Sequence, residues 1–463
     1  MPEYTIISPA NGKPYVTKQL SSAEDARTAV DRAVKAFPSW RQNPLSERIK
    51  VVEKFVDAFV AQKDAIAEEL AWLMGRPAKQ NGGEVKGFEE RARHMISIAE
   101  SSLCDVPAVP QKEGLQRFIR REPLGVIFVI AAWNYPYLIA VNGVVPALLA
   151  GNTVILKQAP QTFPCAERFG TAFKEAGLPE GVFQYLHVDH PTAESIIKNP
   201  QIAHVLFTGS VRGGREVCKI AAERFIGVGL ELGGKDAAYV REDADVAYAA
   251  ENLVDGAMYN SGQSCCGIER VYAHEKVYDA LVEKMVEVTK NYKLGDPLSP
   301  ETNLGPVVRT ESADLVREHI KDAVSKGAKL HIDECLFPAS KAGTPYVAPQ
   351  ILTNVTHQMR VMTEESFGPI VGVMKVKNDE EAIKLINDSE FGLTSSIWTK
   401  DADAGLALGD QIQTGTVFMN RCDYLDPALP WTGVKNSGRG VTLSPLGFEH
   451  ITRPKSFHFR VKT

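Results

Sequence analysis

Gly125-Val-Ile-Phe-Val-Ile-Ala-Ala132, the uncharged stretch from Tyr137 to Leu149, and Thr153-Val-Ile-Leu-Lys157 together decide how this chain is read. Short apolar runs rich in Val and Ile read as strands buried on both faces, and the longer apolar stretch between them reads as a buried helix. The alternation starts with strand 125–132, helix 137–149 and strand 153–157. It continues with helix 164–176, strand 182–188, helix 191–199 and strand 203–207. Strands and helices alternating on this scale predict an α/β fold. The expected core is a parallel, Rossmann-like sheet of the dinucleotide-binding type, which receives ligand at the C-terminal ends of its strands. Pro123 to Leu156 holds no charged residue, but Asn134, Pro136, Asn142 and Pro146 divide it. The pieces are shorter than the ~20 residues of a membrane-spanning helix.

Outward from this core, the first hundred residues follow a helical pattern. Ser21-Ser-Ala-Glu24 reads as a cap with an acidic first turn, and Ile49 to Leu73 as one long amphipathic stretch. Both are expected to be scaffold without chemistry. A second α/β region begins near Leu232 and includes a strand ending at His274, a helix from Val277 to Asn291 and a strand near Val371–Val376. Segments 106–121 and 447–463 alternate apolar and polar residues in short strands whose edges are open to pairing.

A chain of 463 residues with 44% hydrophobic and 24% charged residues has ordinary globular composition and length for two or three domains. Its net charge of −5 leaves no footprint for nucleic acid or an anionic membrane. Met1 to Pro9 has neither the basic-then-apolar pattern of a secretory signal nor an Arg-rich transit pattern. Seven cysteines without regular spacing argue for free thiols in a reducing compartment, so a cytoplasmic protein is expected. The ten histidines are dispersed with no metal-ligand spacing, and no metal is expected.

Chemistry is concentrated in three turns. Glu231-Leu-Gly-Gly-Lys-Asp236 places a carboxylate on a glycine-flanked turn, and Gly262-Gln-Ser-Cys-Cys-Gly267 places a cysteine on another. Thiol-based acyl chemistry with a water-dependent step needs these two groups, Cys265 as nucleophile and Glu231 as base. Ala132-Trp-Asn-Tyr-Pro136 adds Asn134, whose NH2 group can face a developing oxyanion together with the Cys265 backbone N–H. The bland alternatives are a buried structural cysteine, a salt bridge between Glu231 and Lys235, and an N-capping role for Asn134. Cys266 reads as a neighbour of the nucleophile. The turn Thr208-Gly-Ser-Val-Arg-Gly-Gly214 is not a GxGxxG fingerprint. It opens a helix expected near Arg215, whose N-terminus can receive a pyrophosphate.

At these residues the chain resembles the NAD(P)-dependent aldehyde dehydrogenase superfamily. The matching segments are Trp133-Asn-Tyr-Pro136, Gly151-Asn-Thr-Val-Ile-Leu-Lys157, Phe207-Thr-Gly-Ser210, Glu231-Leu-Gly-Gly-Lys235, Gly262-Gln-Ser-Cys265, Glu364-Glu-Ser-Phe-Gly-Pro369 and Pro430-Trp-Thr-Gly-Val-Lys-Asn-Ser-Gly-Arg439, in the family's order along nearly the whole chain. The resemblance implies oxidation of an aldehyde to a carboxylic acid. Cys265 would form a thiohemiacetal and then a thioester, and Glu231 would activate the water that hydrolyses it. It also implies a cofactor domain (1–105 and 122–231), a catalytic domain (232–446) and an oligomerisation element (106–121 and 447–463) in a homodimer or homotetramer.

By the same resemblance the cofactor, NAD or NADP, meets Trp133, Lys157, Gly209, Ser210, Leu232, Glu365 and Phe367. Pro160 stands where NAD-preferring relatives often carry a glutamate, so a 2′-phosphate is tolerated, with Arg212 or Arg215 as its partner or as a solvated helix residue. Relatives acting on succinate semialdehyde often carry an arginine where this chain has Asn142. Arg421 is the substitute considered for it, and Tyr135, Tyr137, Tyr424 and Trp431 are an alternative aromatic entrance. The rival readings are a thiol-dependent esterase, which has no use for Lys157, Glu365 and Phe367, a semialdehyde dehydrogenase of the succinate-semialdehyde type, and an idle paralogue.

Overall fold

Val126–Ala131 and Thr153–Gln158 lie side by side in parallel, and in the computed structural model, which describes residues 2–462, they are adjacent inner strands of a six-stranded sheet. The sheet order is Gly438–Arg439, Gly227–Glu231, Ile202–Thr208, Val126–Ala131, Thr153–Gln158, Phe183–Tyr185, and only the first of these runs antiparallel. The strands Val126–Ala131 and Thr153–Gln158 are buried almost throughout, which is why they carry no polar alternation. The helices Pro136–Leu149, Phe163–Glu175 and His190–Lys198 fall where the pattern places them. Among the described residues no helix is long and apolar enough to cross a membrane. The uncharged helix Pro136–Leu149 has only 14 residues.

Several boundaries differ from expectation for local reasons. The strand expected over 182–188 is paired only at Phe183–Tyr185, because Asp189 leaves the ladder to cap the next helix, its side chain accepting from Thr192 N at 2.9 Å. The helix expected near Arg215 begins at Val211, since the Ser210 hydroxyl accepts from Gly213 N. The amphipathic run 49–73 is two helices, Leu45–Val60 and Lys63–Met74. Ahead of them lies a hairpin, Glu3–Ile7 with Pro14–Gln19, that the helical reading missed. Ser22 caps the helix Ala23–Gln42 in a reciprocal box with Asp25.

The second region is a seven-stranded sheet in the order Lys329–Leu330, Gln350–Thr353, Ile370–Val376, Ile268–His274, Asp236–Val240, Thr394–Trp398, Thr416–Met419, parallel except at its first strand. The chain then returns to the first sheet. Gly438 pairs with Glu231, and Leu232 N donates to Ser437 O at 2.9 Å. A third sheet pairs Thr452–Arg460 antiparallel with Leu115–Pro123, which also pairs with Val106–Pro107.

The helix Ala78–Leu103 spans the first core and reaches the region between the two large sheets. Its Phe88 is fully buried in an aromatic cluster with Phe55, Phe59 and Phe169. Truncating such a ring costs about 3–5 kcal/mol. That packing fixes the rotation of the helix, and with it the direction of Glu84 and Arg91, four residues before and three after Phe88 on the same stripe.

Candidate active site

Asn134 follows the strand Val126–Ala131, and the cysteine turn follows a tight segment in which Asn260 and Ser261 adopt φ of 52° and 57°. The two loops are joined directly. Asn134 Nδ2 donates to Gln263 O at 3.2 Å, while Asn260 Nδ2 donates to both Asn134 O at 3.2 Å and Gln263 O at 3.1 Å. The helix Pro136–Leu149 has no side-chain cap, so the bland capping role for Asn134 is not what its amide does. A buried ion pair supports the junction from behind. Arg76, paired with Glu84, donates to Asn134 O and to Asn260 Oδ1, and Glu84 accepts from Tyr137 N at 2.8 Å.

Cys265, Asn134 and Glu231 line one cavity of about 720 Å³ between the two sheets. Glu231 ends its strand facing this space. Its Oε2 accepts from Thr208 Oγ1 at 3.0 Å and its Oε1 from Thr442 Oγ1 at 2.5 Å, so it does not bond Cys265 directly. Burial raises its carboxyl above the ordinary range, against the pull of the two threonine hydroxyls. Lys235 is not its partner. That ammonium is buried against Glu269 and Ser366. Cys266 also borders the cavity but is buried and donates to Asp423 Oδ1 at 2.9 Å, and its thiol is raised by the Cys265 contact and by burial. The two glycines after Leu232 are required by close approach. A Cβ on Gly233 would strike the Glu365 carboxylate, and one on Gly234 the Cys265 carbonyl.

The residues expected to meet the cofactor lie around the C-terminal end of the first sheet. Lys157 is 4% exposed, and among the described residues its ammonium reaches only the Gln158 carbonyl at 3.3 Å, so burial lowers it to about 8. Ser210 caps the helix Val211–Ala222, and Gly209 N is tied to Glu231 O at 3.0 Å. Arg212 and Arg215 are exposed on that helix. Of the two adjacent acids, Glu364 is an exposed partner of Arg360, whereas Glu365 turns inward and accepts from Gly234 N at 3.0 Å. Burial and the neighbouring Glu269 push Glu365 up to about 8. Phe367, at φ 48°, meets Trp133 edge to face at 5.6 Å.

Of the residues expected at the substrate, Tyr135, Asn142, Trp431 and Tyr424 line the cavity. Arg421 does not. It is exposed, with its guanidinium 3.9 Å from the Tyr424 ring centre. Tyr137 is also outside, wholly buried and stacked on Phe169.

A family model for the aldehyde dehydrogenases matches residues 2–457. The chain belongs to the aldehyde dehydrogenase family. The NADP(+) succinate-semialdehyde dehydrogenase of Mycolicibacterium paratuberculosis is 34% identical over 452 residues, covering 97% of this chain and 95% of that protein. Among solved structures, the NADP-dependent glyceraldehyde-3-phosphate dehydrogenase of Bacillus halodurans, complexed with NADP, matches with a TM-score of 0.94 and 31% identity, over 100% of this chain and 96% of its own. The succinic semialdehyde dehydrogenase of Streptococcus pyogenes in complex with NADP+ matches with a TM-score of 0.93 and 29% identity, over 99% of this chain and 100% of its own.

As an aldehyde dehydrogenase this chain uses a nicotinamide cofactor to oxidise an aldehyde to a carboxylic acid. Its own residues fit such a cofactor. A buried lysine without a carboxylate partner among the described residues, a capped helix N-terminus and an inward carboxylate stand at one end of the parallel sheet. Among the described residues no cluster suited to a metal ion is present. The wall residues of this aldehyde dehydrogenase that escaped the sequence reading include Arg76, Glu84, Arg91 and Asp423. The helix expected to be plain scaffold carries two of them, Glu84 and Arg91. The available signal was charge at positions 84 and 91 on the same stripe as the apolar Phe88 and Met95.

Proposed function

We propose that Cys265, Asn134 and Glu231 carry the aldehyde oxidation of this chain. The observation that supports this best is the joining of Asn134 to the carbonyl of Gln263, two residues before Cys265. An amide NH2 has two hydrogens. One is committed to Gln263, which leaves the other, aimed by that bond, for the oxyanion that forms when the Cys265 thiolate attacks an aldehyde carbon. With the Cys265 backbone N–H it makes a two-donor hole, each donor worth about 2.7–4 kcal/mol in the transition state. Bound at the strand ends, the nicotinamide cofactor supplies the acceptor for the hydride that leaves the thiohemiacetal. Lys157 and Glu365 would hold its two ribose ends, Ser210 its pyrophosphate, and Trp133, Leu232 and Phe367 its ring. Glu231, held off the sulfur by Thr208 and Thr442, takes a proton from the water that attacks the thioester.

The cofactor unit is 1–105 with 122–231, the catalytic unit 232–446, and the third sheet (106–121 and 447–463) the subunit contact. Phe459, in the strand Thr452–Arg460, and Val461, just past it, are 50% and 60% exposed, and the outer edge of that strand is unpaired among the described residues, which supports a homodimer or homotetramer. Seven free cysteines, none in a disulfide, support a reducing, cytoplasmic setting. Pro160 in place of an acid, and relatives named for NADP, support use of NADP+.

The test is absorbance of the reduced nicotinamide with purified protein, NAD+ or NADP+, and aliphatic, aromatic and carboxylated aldehydes. Cofactor reduction that Cys265→Ser abolishes is the expected result. Thiol-dependent ester hydrolysis without any reduction would replace this reading with an acyl hydrolase.

A further inference from the structure

Arg91 is 8% exposed and lines the cavity that holds Cys265 and Glu231. Its Nη1 donates to Leu138 O at 3.0 Å and to Asn142 Oδ1 at 3.3 Å, both on the helix that follows the oxyanion loop. Among the described residues no carboxylate lies within ion-pairing distance of it, whereas Arg76, the other buried arginine of this wall, is paired with Glu84. A guanidinium has five N–H donors, and those on Nε and Nη2 of Arg91 have no protein acceptor among the described residues. The acids whose charge reaches it are otherwise engaged, Glu231 by Thr208 and Thr442, Glu84 by Arg76 and Tyr137 N, and Asp423 by Ser264 and Cys266. Arg91 lines the cavity with these donors uncommitted, and the guanidinium fork fits a carboxylate through two parallel hydrogen bonds.

We propose that Arg91, oriented by Asn142, anchors a substrate carboxylate, so that the preferred substrates are short aldehydes bearing a carboxylate at the end remote from the carbonyl. The inference rests on the aldehyde oxidation proposed above. It moves the anchoring charge from Asn142, which has none, and from Arg421, which lies outside the cavity, to a different helix.

The test compares kcat/KM for a short carboxylated aldehyde with that for an uncharged aldehyde of equal length. In Arg91→Met the ratio of the two is expected to fall about 100-fold, chiefly through KM of the carboxylated substrate, and Arg91→Lys is expected to recover part of it. An equal loss on both substrates, or an unchanged ratio, overturns the proposal. A second measurement uses the wild-type protein without cofactor. Glutarate is expected to protect Cys265 from iodoacetamide at concentrations at least about tenfold below those needed of the neutral glutaramide, and equal protection overturns the proposal. Protection by glutarate together with no cofactor reduction on any aldehyde would sink the dehydrogenase reading while leaving the anchor standing.

Discussion

Arg76 Nη1 lies 2.5 Å from Glu84 Oε2, with both side chains withdrawn from solvent. The pair bridges the two loops that bring Asn134 to Cys265. Arg76 also donates to Asn134 O and Asn260 Oδ1 and lies 4.4 Å from the Tyr135 ring centre, while Glu84 takes the Tyr137 N–H. Removing one member of a buried pair strands the other, at about 3–5 kcal/mol. Glu84→Ala is therefore expected to lower the thermal midpoint and to reduce kcat by about 100-fold through misplacement of the oxyanion donor. Melting curves and steady-state kinetics on the same preparation check both, and an unchanged kcat would restrict the pair to a folding role.

Glu231 makes no direct bond to Cys265, so its loss is expected to spare the first half of the reaction. Glu231→Gln should release a burst of about one reduced nicotinamide per site and then turn over about 10²–10⁴-fold more slowly. The base works in its ionised form, and burial raises its carboxyl. Wild-type turnover should therefore rise with pH through that raised titration, and the Gln variant should lack this limb. Stopped-flow absorbance over a pH series measures both, and a variant with no burst would place Glu231 in activation of the thiol instead.

The alternation from Gly125 to Gly209 is legible because strands buried on both faces leave unbroken apolar runs, and the three chemical turns are legible because Gly, Asn and Cys stand out between such runs. Glu84 and Arg91 are not. On a single sequence a charge on a long helix reads as solvated, and only tertiary packing of Phe88 turns that stripe inward. Arg421 misleads for a related reason. Positive φ at Asn420 and Asp423 turns the chain, so Asp423 rather than Arg421 enters the cavity wall. The short strand Gly438–Arg439 carries too little pattern to be found, since its place is set by Glu231 and Leu230 across the sheet.

Glu365 makes stability depend on pH. Its carboxyl is raised from 4.5 to about 8 in the folded protein, so between those values the folded state holds a proton that the unfolded chain has released. The folded state then binds more protons, and stability falls as pH rises through this window and is fully present below it. Between pH 5 and pH 8 cofactor-free wild-type protein is expected to lose stability relative to Glu365→Gln, by about one proton's worth of slope. Differential scanning calorimetry of the two proteins across the window measures the difference, and parallel curves would show that Glu365 is ionised in the folded state.

Pro160 opens a short 3-10 turn directly after the strand that ends with Lys157 and Gln158. A carboxylate introduced there would stand near the buried Lys157 ammonium, at the end of the cofactor assigned to the adenosine ribose. It would supply an acceptor for two ribose hydroxyls and repel a phosphate that replaced one of them. Like charges held close in a poorly solvated site cost a kcal/mol or more, about tenfold in binding per 1.4 kcal/mol. Pro160→Glu is expected to lower kcat/KM for NADP+ by about 10–100-fold while raising or preserving that for NAD+, and Lys157→Met to weaken both. Titrating each cofactor at saturating aldehyde measures the switch. A Pro160→Glu protein with an unchanged NADP+ to NAD+ ratio would mean that the 2′-phosphate lies elsewhere, with the exposed Arg212 and Arg215 as the next residues to substitute.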